Sequence, residues 1–242
     1  MMQFDNQGIT GSDISKWQGY PPLFSVVNFS KMRAYGFSYV IMKAGQRNYA
    51  DHAFKYNWPA AKGILPRASY WYYDNSLSPI AQADFYWQII RDDLEGICWL
   101  DLEDQMPGSY RGWRNWYDFL ETFKILSGLP NARIGIYTAW SYWVDAMKSA
   151  SVASREYFHP YPLWFASYFD NPLAPNLARI DIPDPWDDED CLMVQTGTPV
   201  IGLAAGVHSL EIDLNIFNGG KEKFEAFIGM RKSDVSISIR SI

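Results

Sequence analysis

Eight short apolar runs, most of them separated by intervals long enough to hold a helix, constrain this chain more than any other feature. They are residues 9–15, 37–43, 65–72, 96–103, 133–138, 163–167, 191–195 and 210–215. Near-continuous apolar character marks strands covered on both faces, as in a parallel sheet. The intervals 28–35, 51–62, 78–92 and 111–127 read as helices, and the third opens on Ser78 followed by Pro79, an N-cap with proline in the first turn. Beyond Thr138 the regularity weakens. Residues 140–150 look helical, but 169–190 are rich in Pro, Asp and Asn and read as a long loop. The pattern predicts an α/β barrel whose last part is irregular.

A chain of 242 residues fills one such barrel, and 48% apolar residues exclude disorder. No internal repeat or linker divides residues 1–229, which read as one domain. The tail, residues 230–242, alternates polar and apolar residues. It fits an edge strand, an oligomer contact or the start of a connection to another module. The net charge of −6, without a basic cluster, excludes a nucleic-acid partner. No segment approaches the roughly 20 apolar residues of a membrane span, and the N-terminus lacks the basic start and apolar core of a signal peptide. Cys98 and Cys191 each sit in an apolar run and read as buried free thiols. Aromatics make up 17% of the chain, and their flat faces suit the apolar faces of sugar rings as well as a core.

The strongest chemical feature is Trp-Leu-Asp-Leu-Glu-Asp at 99–104. In a strand, residues two apart point to the same side, about 6.6 Å from each other along the chain, so Asp101 and Glu103 share a face. At the C-terminal end of a barrel strand they would repel, and one would hold a proton near neutral pH. Glycosidic cleavage needs such a pair, an acid for the leaving oxygen and an anion for the cationic sugar. The same motif also fits a solvated loop entry. Two further acids favour the catalytic reading: Asp13 ends the first run and Asp213 lies in the last, and in a closed barrel those strands are neighbours. A metal site is the competing use, but His52, His159 and His208 are isolated in sequence, so neither metal nor cofactor is expected.

These residues resemble a known family. Asp-Ile-Ser-Lys-Trp-Gln-Gly at 13–19 is similar to the N-terminal signature of glycoside hydrolase family 25, the Chalaropsis-type lysozymes, and Asp-Leu-Glu at 101–103 resembles its Asp-x-Glu motif. Residues 163–168, 194–196 and 212–215 look like its later strands, in order. The resemblance covers residues 9–228. It implies a TIM-like barrel of (β/α)5(β)3 type and cleavage of the β-1,4 bond after N-acetylmuramic acid in bacterial peptidoglycan. By position, Glu103 would be the general acid, Asp101 would support the N-acetyl group or the developing charge, and Asp13 and Asp213 would tune the site. Tyr70, Tyr137, Trp164 and Gln195 fall on family-matching positions near strand ends as substrate-binding candidates, with Lys43 and Asn215 as further ones; the aromatic members equally fit core packing. Two segments depart from the family. Ala-Gly-Gln-Arg follows Lys43 where Ala-Thr-Glu-Gly is usual, and Tyr70-Trp71-Tyr72 replaces Tyr-His-Phe.

The alternatives are a catalytically silent wall-binding module, against which all four acids argue, and another barrel glycosidase such as a chitinase, whose longer series of spaced Asp residues is missing. The missing export signal leads to the expectation of an endolysin, made in a host cytoplasm and released through a phage holin, or of a lysozyme carried on a virion.

Overall fold

The computed structural model describes residues 7–21 and 25–229; the 230–242 tail lies outside the described residues. The strands are β1 (Thr10–Ile14), β2 (Tyr39–Gln46), β3 (Tyr49–Ala50), β4 (Arg67–Tyr72), β5 (Cys98–Asp101), β6 (Ile134–Ala139), β7 (Leu163–Ala166), β8 (Cys191–Gly197) and β9 (Leu214–Phe217). Helices α1 (Phe29–Tyr35), α2 (Phe54–Ala61), α3 (Pro79–Ile90) and α4 (Trp113–Ser127) follow β1, β3, β4 and β5. After β6 come α5 (Trp140–Met147) and α6 (Val152–Glu156), then the short α7 (Gly202–Ala205) and finally α8 (Lys221–Gly229). None of these helices is long and apolar enough to cross a membrane.

The sheet runs β1-β9-β8-β7-β6-β5-β4-β2, and β2 pairs back onto β1 to close an eight-strand ring. The expected TIM-like (β/α)5(β)3 barrel needs correction. Seven strands of the ring are parallel, but β9 lies antiparallel to both β1 and β8, and β3 adds a reversed ninth strand against β2. The barrel is therefore closed but mixed. The cause is the connection into β9. Residues 198–213 contain only the four-residue α7, and a link that never crosses the length of the sheet can join only antiparallel strands.

Strand alternation builds two cores. Val40, Met42, Leu100, Ile136, Leu163, Phe165, Val194 and Ile216 point outward into the layer between sheet and helices. α4 supplies that layer with Trp116, Phe119, Leu120 and Phe123, a helical stripe spaced to face one side. The intervening residues Tyr39, Ile41, Ala68, Ile97, Trp99, Tyr137, Trp164, Met193 and Phe217 fill the barrel itself. Gly135 is required by this filling, because a Cβ there would lie 2.2 Å from the Trp99 ring. The bottom of the barrel is closed by α8. Its Phe227 meets Tyr39 edge-on and packs on Phe217 at ring-centre distances of 5.8 and 5.5 Å.

Candidate active site

The same alternation, continued upward, turns the inward face from apolar to polar. One step above Trp99 on β5 stands Asp101, and the next inward position is Glu103, while Leu102 between them is buried in the outer layer. On β1 the inward residue is Asp13, on β2 Lys43, on β4 Tyr70 and then Tyr72, on β6 Tyr137, on β7 Trp164, on β8 Gln195 and on β9 Asn215. Strand register makes neighbours of Lys43 and Tyr70, of Tyr72 and Asp101, of Asp101 and Tyr137, of Tyr137 and Trp164, and of Gln195 and Asn215. Asp213 precedes β9 rather than lying within a strand. Because β9 runs in reverse, its start opens onto the face where the other strands end, and this brings the fourth acid to the group.

Asp13, Lys43, Tyr70, Asp101, Glu103, Tyr137, Trp164, Gln195 and Asp213 line one cleft of about 240 Å³. Asn215 is fully buried beneath it, with its amide shared between Asp13 and Trp164. Sequence reasoning missed Trp17, Tyr72 and Tyr168, which also line the cleft. Tyr72 could have been found two residues beyond Tyr70, on the same face. Trp17 and Tyr168 sit on loops past strand ends, where alternation gives no signal, and both are solvent-exposed, at 69% and 64%.

Hydrogen bonds fix the floor. The Trp164 indole Nε1 donates to Asn215 Oδ1 (2.7 Å), and Asn215 Nδ2 donates to Asp13 Oδ1 (2.8 Å). Gln195 Nε2 donates to that same oxygen at 2.9 Å. The Tyr137 and Tyr168 hydroxyls both donate to Gln195 Oε1, at 2.8 and 2.9 Å. Lys43 Nζ donates to Gln46 Oε1 at 2.6 Å and stands 4.5 Å from the centre of the Tyr72 ring. Gln46 is uncharged, so this lysine has a neutral partner there.

Burial among like charges raises the proton affinity of every acid in the group. For Asp101 burial is the larger cause, the Glu103 charge adds to it, and Lys43 opposes both. Burial also lifts Glu103 above the usual carboxylate range, helped by the charge of Asp13, while Lys43 and the Tyr137 hydroxyl oppose the shift. Burial raises Asp13 as well, against the amide hydrogen bonds of Asn215 and Gln195. Asp213 is pushed up to about 8 by burial and then by the charges of Asp13 and Glu103. Lys43 moves the other way because burial penalises its charge, despite the nearby carboxylates. Asp101 and Glu103 therefore titrate as a pair, in which the charge of one holds the proton of the other. Asp101 Oδ1 is buried without a hydrogen-bond partner, so an acceptor in the site is left unsatisfied.

Residues 12–182 match the model of Glycosyl hydrolases family 25. Lysozyme M1 of Streptomyces globisporus is 30% identical in an alignment of 157 positions that covers 57% of this chain and 49% of that protein, so the match spans about half the length of this relative. The bacterial lysozyme from Streptomyces coelicolor superimposes with a TM-score of 0.70 at 24% identity, covering 93% of this chain and 98% of the other. The muramidase from Trichobolus zukalii gives 0.68 at 24% identity, over 91% and 99% of the two chains. At that identity the two structures establish a shared fold.

Proposed function

The chain belongs to glycosyl hydrolases family 25, and from that premise we propose that it is a lysozyme, hydrolysing the β-1,4 bond between N-acetylmuramic acid and N-acetylglucosamine in bacterial peptidoglycan, with residues 1–229 as its catalytic barrel. The observation that carries the proposal is the pair Asp101 and Glu103 on successive inward positions of one strand end, in a cleft with Asp13 and Asp213. Glu103 is the acid. Its proton passes to the glycosidic oxygen as the bond from that oxygen to the sugar carbon breaks, and water supplies the replacing oxygen. Asp101 is the anion. Its unpartnered Oδ1 suits the N–H of the substrate acetamide, and its charge offsets the positive charge developing on the sugar. An acetamide donor on Asp101 stabilises its ionised form, which leaves the pair's proton on Glu103. The exposed faces of Trp17 and Tyr168 offer stacking surfaces for flanking sugars. On this reading the enzyme reaches the wall through a phage holin or on a virion.

Glu103→Gln keeps the shape of the side chain and removes the transferable proton. It should lower wall lysis by about 10²-fold to 10⁴-fold while the fold is retained. Lysis of purified walls at close to the wild-type rate would exclude Glu103 as the acid.

A further inference from the structure

We propose that Asn75 and Asp104 form a clasp that fixes the direction of Glu103, which makes both of them positioning residues for the acid. The inference rests on the reading of Glu103 as the acid and goes beyond it to how that side chain is held. β5 ends at Asp101, so Glu103 lies past the strand that aims it. On its near side Leu102 is pinned. The Leu102 N–H donates to the Tyr137 carbonyl at 2.9 Å, its carbonyl accepts from Thr138 Oγ1 at 3.1 Å, and its side chain is buried. On the far side the chain runs as loop until α4 begins at Trp113. Holding Glu103 inward therefore needs a second fixed point in that loop.

Asp104 supplies it, the one acid of Trp-Leu-Asp-Leu-Glu-Asp that has no place among the four in the cleft. Its carboxylate is taken up by backbone: Oδ2 accepts the Asn75 N–H at 2.8 Å and Oδ1 the Met106 N–H at 2.9 Å. Asn75 answers with its side chain, whose Nδ2 donates to the carbonyls of Asp104 and Met106 at 2.7 and 2.9 Å. The Asn75 carbonyl accepts the Tyr110 N–H at 3.0 Å. Although it stands in a loop, Asn75 is only 1% exposed. Gly108 packs so closely on it that a Cβ there would lie 2.1 Å from the Asn75 carbonyl oxygen. The clasp is mounted on α3. Fully buried Gln82 donates through Nε2 to the carbonyls of Asp74 and Leu77 and accepts the Asp74 N–H at Oε1. A line of polar contacts thus runs from a helix to the residue after Glu103. Such a network holds one geometry, because each broken bond leaves a buried partner unsatisfied. Asn75 and Asp104 stand outside the cleft, so their bonds bear on the reaction through the placement of Glu103.

The test reads Glu103 itself. Asn75→Ala removes both side-chain donors of the clasp. Gly108→Ala, at an exposed position, drives the loop off an intact Asn75 and serves as the second variant should the first fold poorly. In ¹⁵N relaxation of the unliganded protein, the order parameter of the Glu103 amide should drop from about 0.85 to below about 0.6, while Trp99 and Leu100 stay rigid. The Glu103 carboxyl, its ¹³C resonance assigned by its loss in Glu103→Gln, should titrate lower than in wild type, since burial is what raises it and a released side chain reaches water. On purified walls kcat should fall by about 10-fold to 10²-fold with an apparent KM within about twofold, because the acid is misplaced and binding is kept. A clasp that served stability alone would lower the melting temperature and leave all these readouts at wild-type values. The proposal is overturned if a folded variant keeps the wild-type Glu103 amide and carboxyl behaviour, or if it keeps kcat. The two magnetic-resonance readouts need no substrate, so an absence of wall lysis would defeat the lysozyme reading and still leave the clasp tested.

Discussion

Four carboxyl groups around one small cleft cannot all be charged at neutral pH, and the roles of the individual acids follow from that crowding. Asp101→Asn removes an anion beside Glu103. If Asp101 served only to raise the acid's pKa, the variant would recover in more acidic buffer, where Glu103 is again protonated. If it stabilises the transition state, no pH restores activity. The unpartnered Oδ1 favours the second outcome, so a pH–rate profile of Asp101→Asn on purified walls should stay low throughout, and acid recovery would reduce Asp101 to tuning alone. Asp213 makes a thermodynamic prediction. Its folded pKa, about 8, lies above the ordinary carboxylate value of 3.8. Its contribution to stability is therefore fully present below about pH 3.8 and is lost as pH rises through 8. Asp213→Asn should gain melting temperature over wild type towards pH 8 and above but not at pH 4, with each kcal/mol relieved worth about 2–4 °C at this size. A difference independent of pH would contradict the raised value. Asp101 and Glu103 were legible because a two-residue spacing states its own geometry in a strand. The supporting roles of Gln195 and Asn215 were not. Their partner Asp13 lies 182 and 202 positions away in the chain, and no local pattern encodes such a pairing.

At the scale of elements, β1, β2 and β4 to β8 were visible as apolar runs, and four helical intervals were visible between them. The direction of β9 was not. An apolar run reads alike in either direction, and only the short α7 connection reveals that the chain never returns to the bottom of the barrel. The run was also placed early, at 210–215, whereas the strand is Leu214–Phe217. The reversal matters chemically, since it puts Asp213 at the top and sends the following chain down to α8. That helix then closes the barrel floor with Phe227, whose ring is buried against Tyr39 and Phe217. Phe227→Ala should destabilise the fold by about 3–5 kcal/mol, the cost of emptying a buried aromatic site. Denaturant unfolding measures this directly, and a loss below 1 kcal/mol would show that α8 is not a structural plug.

Across the whole molecule, the barrel separates two tasks by height. Apolar rings from all around the sheet fill its lower interior, and polar inward positions crown it. Asp13 is held by buried hydrogen bonds from Gln195 and Asn215, as a preorganised site requires. Above them, loop residues such as Trp17 and Tyr168 stay exposed, where a polymeric glycan can reach them. Purified bacterial walls digested with the protein, reduced with borohydride and hydrolysed, show by mass spectrometry which sugar carried each new reducing end. Muramitol is the predicted product. Glucosaminitol, or free amino groups from cut peptides in place of new reducing ends, would contradict the assignment.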